Sequence, residues 1–143
     1  MTKIVVIDGQ GGKMGRLVIE QLKASAPAGN YRITAIGTNS IATANMLKAG
    51  ADNGATGENP VVVNCRDADI VVGPVGIIAA DALQGEVTSA MAVSVGSCHA
   101  QKVLLPISRC RISVMGMAQT SAAELVSLAV GRVAALIGEN ENA

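Results

Sequence analysis

The sequence predicts a three-layer α/β fold: a doubly wound, mostly parallel sheet with helices on both faces. Two observations predict it. The apolar run Ile4-Val5-Val6-Ile7 leads through a glycine-rich turn into an amphipathic stretch, and similar strand-like and helix-like segments then alternate down the chain.

Lys3–Asp8 reads as a buried first strand. Lys13–Ala24 reads as a helix with Met14, Leu17, Val18 and Leu22 on one face. Pro27-Ala28-Gly29-Asn30 is a turn signal. Arg32–Gly37 is a second strand, expected to run parallel to a central first strand. Ser40 is expected to cap a short helix, Ile41–Lys48, with Gly50 just past its end. Ala51–Pro60 reads as a loop. Val61–Cys65 and Ile70–Val72 read as strands around the charged turn Arg66-Asp67-Ala68-Asp69. Pro74–Gly85 and Thr88–Gly96 read as helices. Lys102–Ile107 and Ile112–Met117 read as strands joined at Ser108-Arg109-Cys110-Arg111, close enough for an antiparallel edge hairpin. The clearest helix is the last. Ser121-Ala122-Ala123-Glu124 makes a capping box, and Leu125, Leu128, Ala129, Val133, Leu136 and Ile137 form a stripe. One Rossmann-like nucleotide-binding domain is expected over residues 1–143.

Composition narrows the function classes. Half of the 143 residues are apolar, 15% are charged, and acidic and basic side chains balance at 11 each. Such a chain carries no basic footprint for nucleic acid. With Tyr31 as its single aromatic residue, it also lacks stacking platforms for bases. No apolar run approaches the ~20 residues that span a bilayer. The N-terminus enters a strand directly, without a signal-peptide layout, so a cytoplasmic protein is expected. Cys65, Cys98 and Cys110 are then reduced thiols. The pair Cys98-His99 has no third ligand at workable spacing, so no metal site is expected. Few charges mark the apolar stretches Ile77–Leu83 and Met91–Val95: Asp81 and Glu86 are the only acidic or basic residues from Val75 to Ala100, His99 aside. A helix apolar nearly all round is buried on more than one side. A homodimer or larger homo-oligomer through this region is therefore expected.

The stretch Asp8-Gly9-Gln10-Gly11-Gly12-Lys13-Met14-Gly15 carries the functional signal, with four glycines in seven residues after a clear strand. Gly9 and Gly11 permit positive φ for a sharp exit from the strand. Gly12 removes a Cβ where a phosphate would approach, and Gly15 lets the helix pack close to the sheet. The free N–H groups and dipole of the helix start favour an anion, and Lys13 and Arg16 add positive charge. Asp8 would repel a phosphate if it pointed at it. Its bland reading is acceptance of the turn's own N–H groups; its sharper one is contact with a metal carried by the nucleotide. A dinucleotide fold places an acidic residue at the end of the second strand to bind the ribose. Here that strand ends Gly37-Thr38-Asn39-Ser40, with no carboxylate, which leans toward NADP over NAD. Gly73-Pro74-Val75-Gly76 follows the strand Ile70–Val72 and should lie beside Gly9–Gly12. Ala55-Thr56-Gly57-Glu58-Asn59 reads either as a surface turn or as a loop closing over a ligand.

The loop Gly9-Gln10-Gly11-Gly12-Lys13-Met14-Gly15-Arg16 resembles the G-A-G-G-R-M-G-R loop of dihydrodipicolinate reductases, which bind NADH or NADPH. The resemblance covers eight residues. It implies a phosphate-loop role for Gly9, Gly12, Gly15 and Lys13. The substrate domain and His-rich motif of those enzymes have no counterpart, so their reaction is not implied. Over nearly the whole chain the sequence is similar to a family of short bacterial proteins grouped as a domain of unknown function. Ile7–Gly12, Gly37–Thr43, Gly54–Asn59 and Gly73–Ile78 carry that similarity. It implies a Rossmann-like fold.

Three functions compete. The first is a module that binds a phosphate-containing nucleotide, of NADP or NAD type, as a sensor or accessory subunit. The second is a small NAD(P)-dependent oxidoreductase whose site is completed across a dimer interface. The third is a structural or interaction protein with a vestigial loop. The small-molecule partner is nucleotide-like in the first two; neither nucleic acid nor membrane is expected as a partner.

Overall fold

The computed structural model describes residues 1–26, 29–107 and 111–143. The elements follow in the order β1 (Thr2–Asp8), α1 (Lys13–Ser25), β2 (Tyr31–Gly37), α2 (Ser40–Lys48), β3 (Asn53–Thr56), α3 (Glu58–Cys65), β4 (Ile70–Pro74), a 3-10 turn (Val75–Ile78), α4 (Ser89–Ser97), β5 (Gln101–Leu105) and α5 (Ala122–Glu141). The five strands form one sheet in the order β3-β2-β1-β4-β5, with every pairing parallel. β1 is central, as its apolar run requires. The chain winds outward through β2 and β3, then returns to lay β4 on the other side of β1. The switch point therefore lies between the carboxyl ends of β1 and β4.

Strand alternation divides the core into two. Ile4, Val6, Ile33, Ala35, Ile70 and Val72 face one layer, where α1, α2 and α5 contribute Val18, Leu22, Met46, Val126 and Val133. Val5, Ile7, Ile36 and Val71 face the other, against Val61 and Cys65 of α3, Ile77, and Met91 and Val95 of α4. Each large aliphatic side chain fully buried in this way contributes ~1.5–3 kcal/mol. Helices thus cover both faces of the sheet.

Several local expectations need correction. Asn39, not Ser40, caps α2: its side chain accepts from the Ala42 N–H. Asn53–Thr56, read as loop, is the edge strand β3, and Val61–Cys65, read as a strand, lies in α3. Glu58 stands in the first turn of α3, and Pro60 stands where an N–H has no helical partner. Val61 and Cys65, one turn apart, then reach the core on one face, so packing overrides the strand preference of the valines. Pro74–Gly85 is not a helix. After the 3-10 turn, Asp81, Leu83, Gln84 and Gly85 all take positive φ. Ile112–Met117 forms no strand; Arg111 and Gly116 break the extended run at φ 54° and 82°. The turn expected at Ser108–Arg111 lies, but for Arg111, outside the described residues, as do Pro27 and Ala28.

The capping box of α5 is present, with Ser121 Oγ accepting from the Glu124 N–H. Its buried stripe runs Val126, Ala129, Val130, Val133, Leu136 and Ile137, whereas Leu128 is 67% exposed. Leu128 follows Val126 by two residues, which turns it to the far side of the helix. Leu22→Ala, at a fully buried position, should cost ~2–5 kcal/mol in urea denaturation. Leu128→Ala should stay within ~0.5 kcal/mol of wild type. Equal losses at the two positions would contradict this packing.

Candidate functional site

The turn from β1 to α1 is organised by Asp8, which is 6% exposed. Its Oδ1 accepts from the Gly9 N–H and its Oδ2 from the Gly15 N–H, both at 2.8 Å. The carboxylate sits under the start of α1, where the dipole favours an anion. Burial pushes its pKa above the ordinary 3.8; the Gly15 and Gly9 bonds pull it back, and Glu86 pushes it up again. The bland reading of Asp8 is thus what the geometry shows.

The loop turns on a hydrogen bond from the Gly12 N–H to the Gly9 carbonyl at 2.9 Å. Positive φ falls on Gln10 (50°) and Gly12 (70°), not on Gly9 and Gly11. Gly12 is also needed for a reason the sequence reading misassigned. A Cβ there would lie 2.8 Å from the Ala42 Cα, against the backbone of α2 rather than in a phosphate's path. At Gly15 a Cβ would meet Met46 Sδ and, at 3.1 Å, the Asp8 Cβ, so this glycine brings α1 close to both β1 and α2. At Gly11 a Cβ would meet nothing within 4 Å. Gly11 is exposed, and neither its N–H nor that of Lys13 is hydrogen-bonded among the described residues. This is the open part of the loop.

A cavity of about 390 Å³ lies at the switch point. Asp8, Gly9, Gln10, Gly11, Gly12, Lys13 and Met14 form one wall, and Pro74, Gly76 and Leu83 come from the β4 side. Leu17, Ile107, Ala122 and Val126 close it with apolar surface. The expected neighbourhood of Gly9–Gly12 with the loop after β4 is therefore real. Gly73 lies beneath it, where a Cβ would meet the Ile7 carbonyl oxygen at 2.6 Å, and Val75 is not part of the wall.

Thr38, Asn39 and Ser40 do not line the cavity. Asn39 Nδ2 donates to the Gln10 carbonyl at 2.8 Å and to Glu86 Oε1 at 2.5 Å. Glu86 Oε2 accepts from the Gln10 N–H at 2.9 Å. Thr38 Oγ1 is buried without a hydrogen-bond partner among the described residues, and Ser40 is exposed in the first turn of α2. Sequence reasoning missed Glu86 as a partner of the glycine loop. Its signal was isolation, as one of two carboxylates in a long uncharged stretch. Leu17 and Val126 could not be told from ordinary core positions.

Glu58 and Asn59 open α3, and Ala55 and Thr56 lie in β3; none of them lines the cavity. Cys65 is buried with Cys98 beside it, and its thiol is pushed up to about 12, chiefly by burial. Cys110 lies outside the described residues. Among the described residues, no three His, Cys, Asp or Glu side chains gather as metal ligands, and no helix is long and apolar enough to cross a membrane.

Residues 3–138 match the family model for a domain of unknown function, DUF3842. The chain belongs to this family. The DUF3842 chain matches no curated protein. Among solved structures it is similar to a dodecameric FMN-dependent UbiX-like decarboxylase from Escherichia coli O157:H7, with 17% identity and a TM-score of 0.43 over 90% of this chain and 75% of that one.

Two outcomes follow for the DUF3842 loop. Gly12→Val should destabilise the fold by ~2–4 kcal/mol, through its left-handed φ and its clash with α2. Gly11→Val should cost under ~1 kcal/mol; chemical denaturation of both variants checks the contrast. Asp8 titration gives a second test. A folded-state pKa above the unfolded one means that stability is complete below the unfolded value and is lost as pH rises through the folded one. Wild type should therefore lose stability relative to Asp8→Asn as pH rises above the ordinary carboxylate value of 3.8. A gain with rising pH would mean that the two N–H bonds outweigh burial.

Proposed function

We propose that this domain binds a phosphate-bearing nucleotide on the Gly9–Lys13 loop, as a sensor or accessory subunit. The observation that carries the reading is the pair of N–H groups of Gly11 and Lys13, unbonded among the described residues, at the mouth of a cavity at the sheet's switch point. Ligands of open α/β sheets bind at that point, and a phosphate there meets N–H donors and the positive end of α1. The apolar wall of Leu17, Ile107 and Val126 suits a ring or other uncharged part of the ligand. NADP and NAD belong to this class, their adenosine ends directed toward Thr38–Ser40.

Binding is favoured over turnover. Among the described residues lining the cavity, only Asp8 and Lys13 carry charge, and both Asp8 oxygens are engaged. Turnover of reduced nucleotide with a carbonyl compound would favour the oxidoreductase reading instead. Homo-oligomerisation belongs to the same proposal: Val63, Ile78 and Val93 leave apolar surface exposed on α3, the 3-10 turn and α4. Sedimentation at micromolar concentration should show a dimer or larger assembly; a stable monomer would remove this part.

A thermal-shift panel of NAD, NADP, their reduced forms, flavin mononucleotide, ATP, GTP and coenzyme A tests the binding claim. At least one should raise the melting temperature. Gly11→Val, where the added Cβ meets nothing within 4 Å, should weaken that ligand at least ~10-fold, equivalent to ~1.4 kcal/mol. Unchanged affinity in this variant, or no shift with any compound, would overturn the reading.

A further inference from the structure

We infer that Glu86 stands in for the carboxylate missing from the end of β2, and that it selects a nucleotide with free ribose hydroxyls over one with a 2′-phosphate. In cofactor terms this means NAD over NADP, the reverse of the lean drawn from Thr38–Ser40. The inference rests on the reading that a nucleotide lies along the glycine loop.

The juxtaposition is specific. Glu86 comes from the segment between β4 and α4, 47 residues from Asn39 in sequence. It nonetheless reaches the carboxyl end of β2, where Asn39 donates to one of its oxygens and the Gln10 N–H to the other. A Cβ on Gly9 would stand 3.1 Å from Glu86 Oε2, so the carboxylate lies against the loop itself. Glu86 is only half-buried. A carboxylate oxygen accepts more than one hydrogen bond, so each can still receive a ribose hydroxyl.

The segment that delivers it is built rigidly. Asp81, Leu83 and Gln84 hold φ of 67°, 54° and 56°, values that side-chain-bearing residues adopt only when their surroundings hold them. The Asp81 N–H bonds to the Val87 carbonyl at 2.7 Å, closing the segment on itself. Leu83 is buried against Gly9. Glu86 is therefore a placed side chain.

Charge decides the selection. A phosphate monoester carries about −1.5 to −2 at pH 7. At the end of β2 it would meet Glu86, with Asp8 nearby. From Thr38 to Leu47 the sequence holds no Lys or Arg to offset them, where a 2′-phosphate site calls for a cation. A hydroxyl donates to Glu86 without that repulsion.

Calorimetric titration of wild type, Glu86→Gln and Glu86→Asp with NAD and with NADP tests the inference. Wild type should bind NAD at least ~10-fold tighter than NADP. Glu86→Gln, which removes charge and keeps shape, should bring the two within ~3-fold, mainly by improving NADP. Glu86→Asp should keep the NAD preference. If Glu86 only braces the loop, Glu86→Gln weakens both cofactors alike and their ratio stays fixed; that result, or equal affinities in wild type, overturns the inference. If neither dinucleotide binds but flavin mononucleotide or ATP does, and Gly11→Val abolishes that binding, the inference fails while the phosphate-loop reading stands. If none of these compounds binds, both fail.

Discussion

Both oxygens of one buried carboxylate, Asp8, are bonded to N–H groups on opposite sides of the turn between β1 and α1. Gly9 leaves the strand and Gly15 lies inside the helix, so the pair of bonds sets where the helix begins relative to the strand. Without it, burial of an anion at this place would be costly. With it, the carboxylate satisfies backbone donors that a helix start otherwise leaves open. Gly15 is a consequence. Because the turn is drawn this tightly onto Asp8, a side chain at that position would run into Asp8 and Met46.

The same constraint shapes the surface proposed to take the ligand. Asp8 engages the inner donors of the loop, and Glu86 engages the Gln10 N–H on the β2 side. Among the described residues, the backbone donors left open at the cavity are those of Gly11 and Lys13. The phosphate proposed for this loop would meet fewer N–H groups than a bare glycine turn offers, between two carboxylates and beneath a largely apolar wall. Two strained segments, at Gln10 and at Asp81–Gly85, maintain the arrangement. The Gln10 N–H donating to Glu86, and Asn39 donating to the Gln10 carbonyl, tie the segments together.

What was legible in the sequence follows from how local each signal is. The central strand, the glycine turn, both long helices and the parallel winding are written in contiguous residues: Ile4–Ile7, Gly9–Gly15 and the capping box at Ser121. Asp8's role as acceptor of its own turn was legible for the same reason. The valines of α3 were misread because Val61-Val62-Val63 has strand chemistry, and only the packed sheet shows that Val61 and Cys65 share a helix face. Gly12 was assigned to phosphate approach because sequence cannot reveal that α2 crosses so near it. Glu86 was invisible as a partner of the loop because Gln10 and Asn39 are brought to it only by the topology.

The central claim is that an anion sits on the two open N–H groups of the loop. Amide NMR of the isotopically labelled protein during titration with NAD reads those groups directly. The account predicts saturable shifts that are largest at Gly11 and Lys13, with the Gly9 and Gly15 amides less affected because Asp8 already holds them. Shifts that leave Gly11 and Lys13 unmoved while residues elsewhere respond would contradict it.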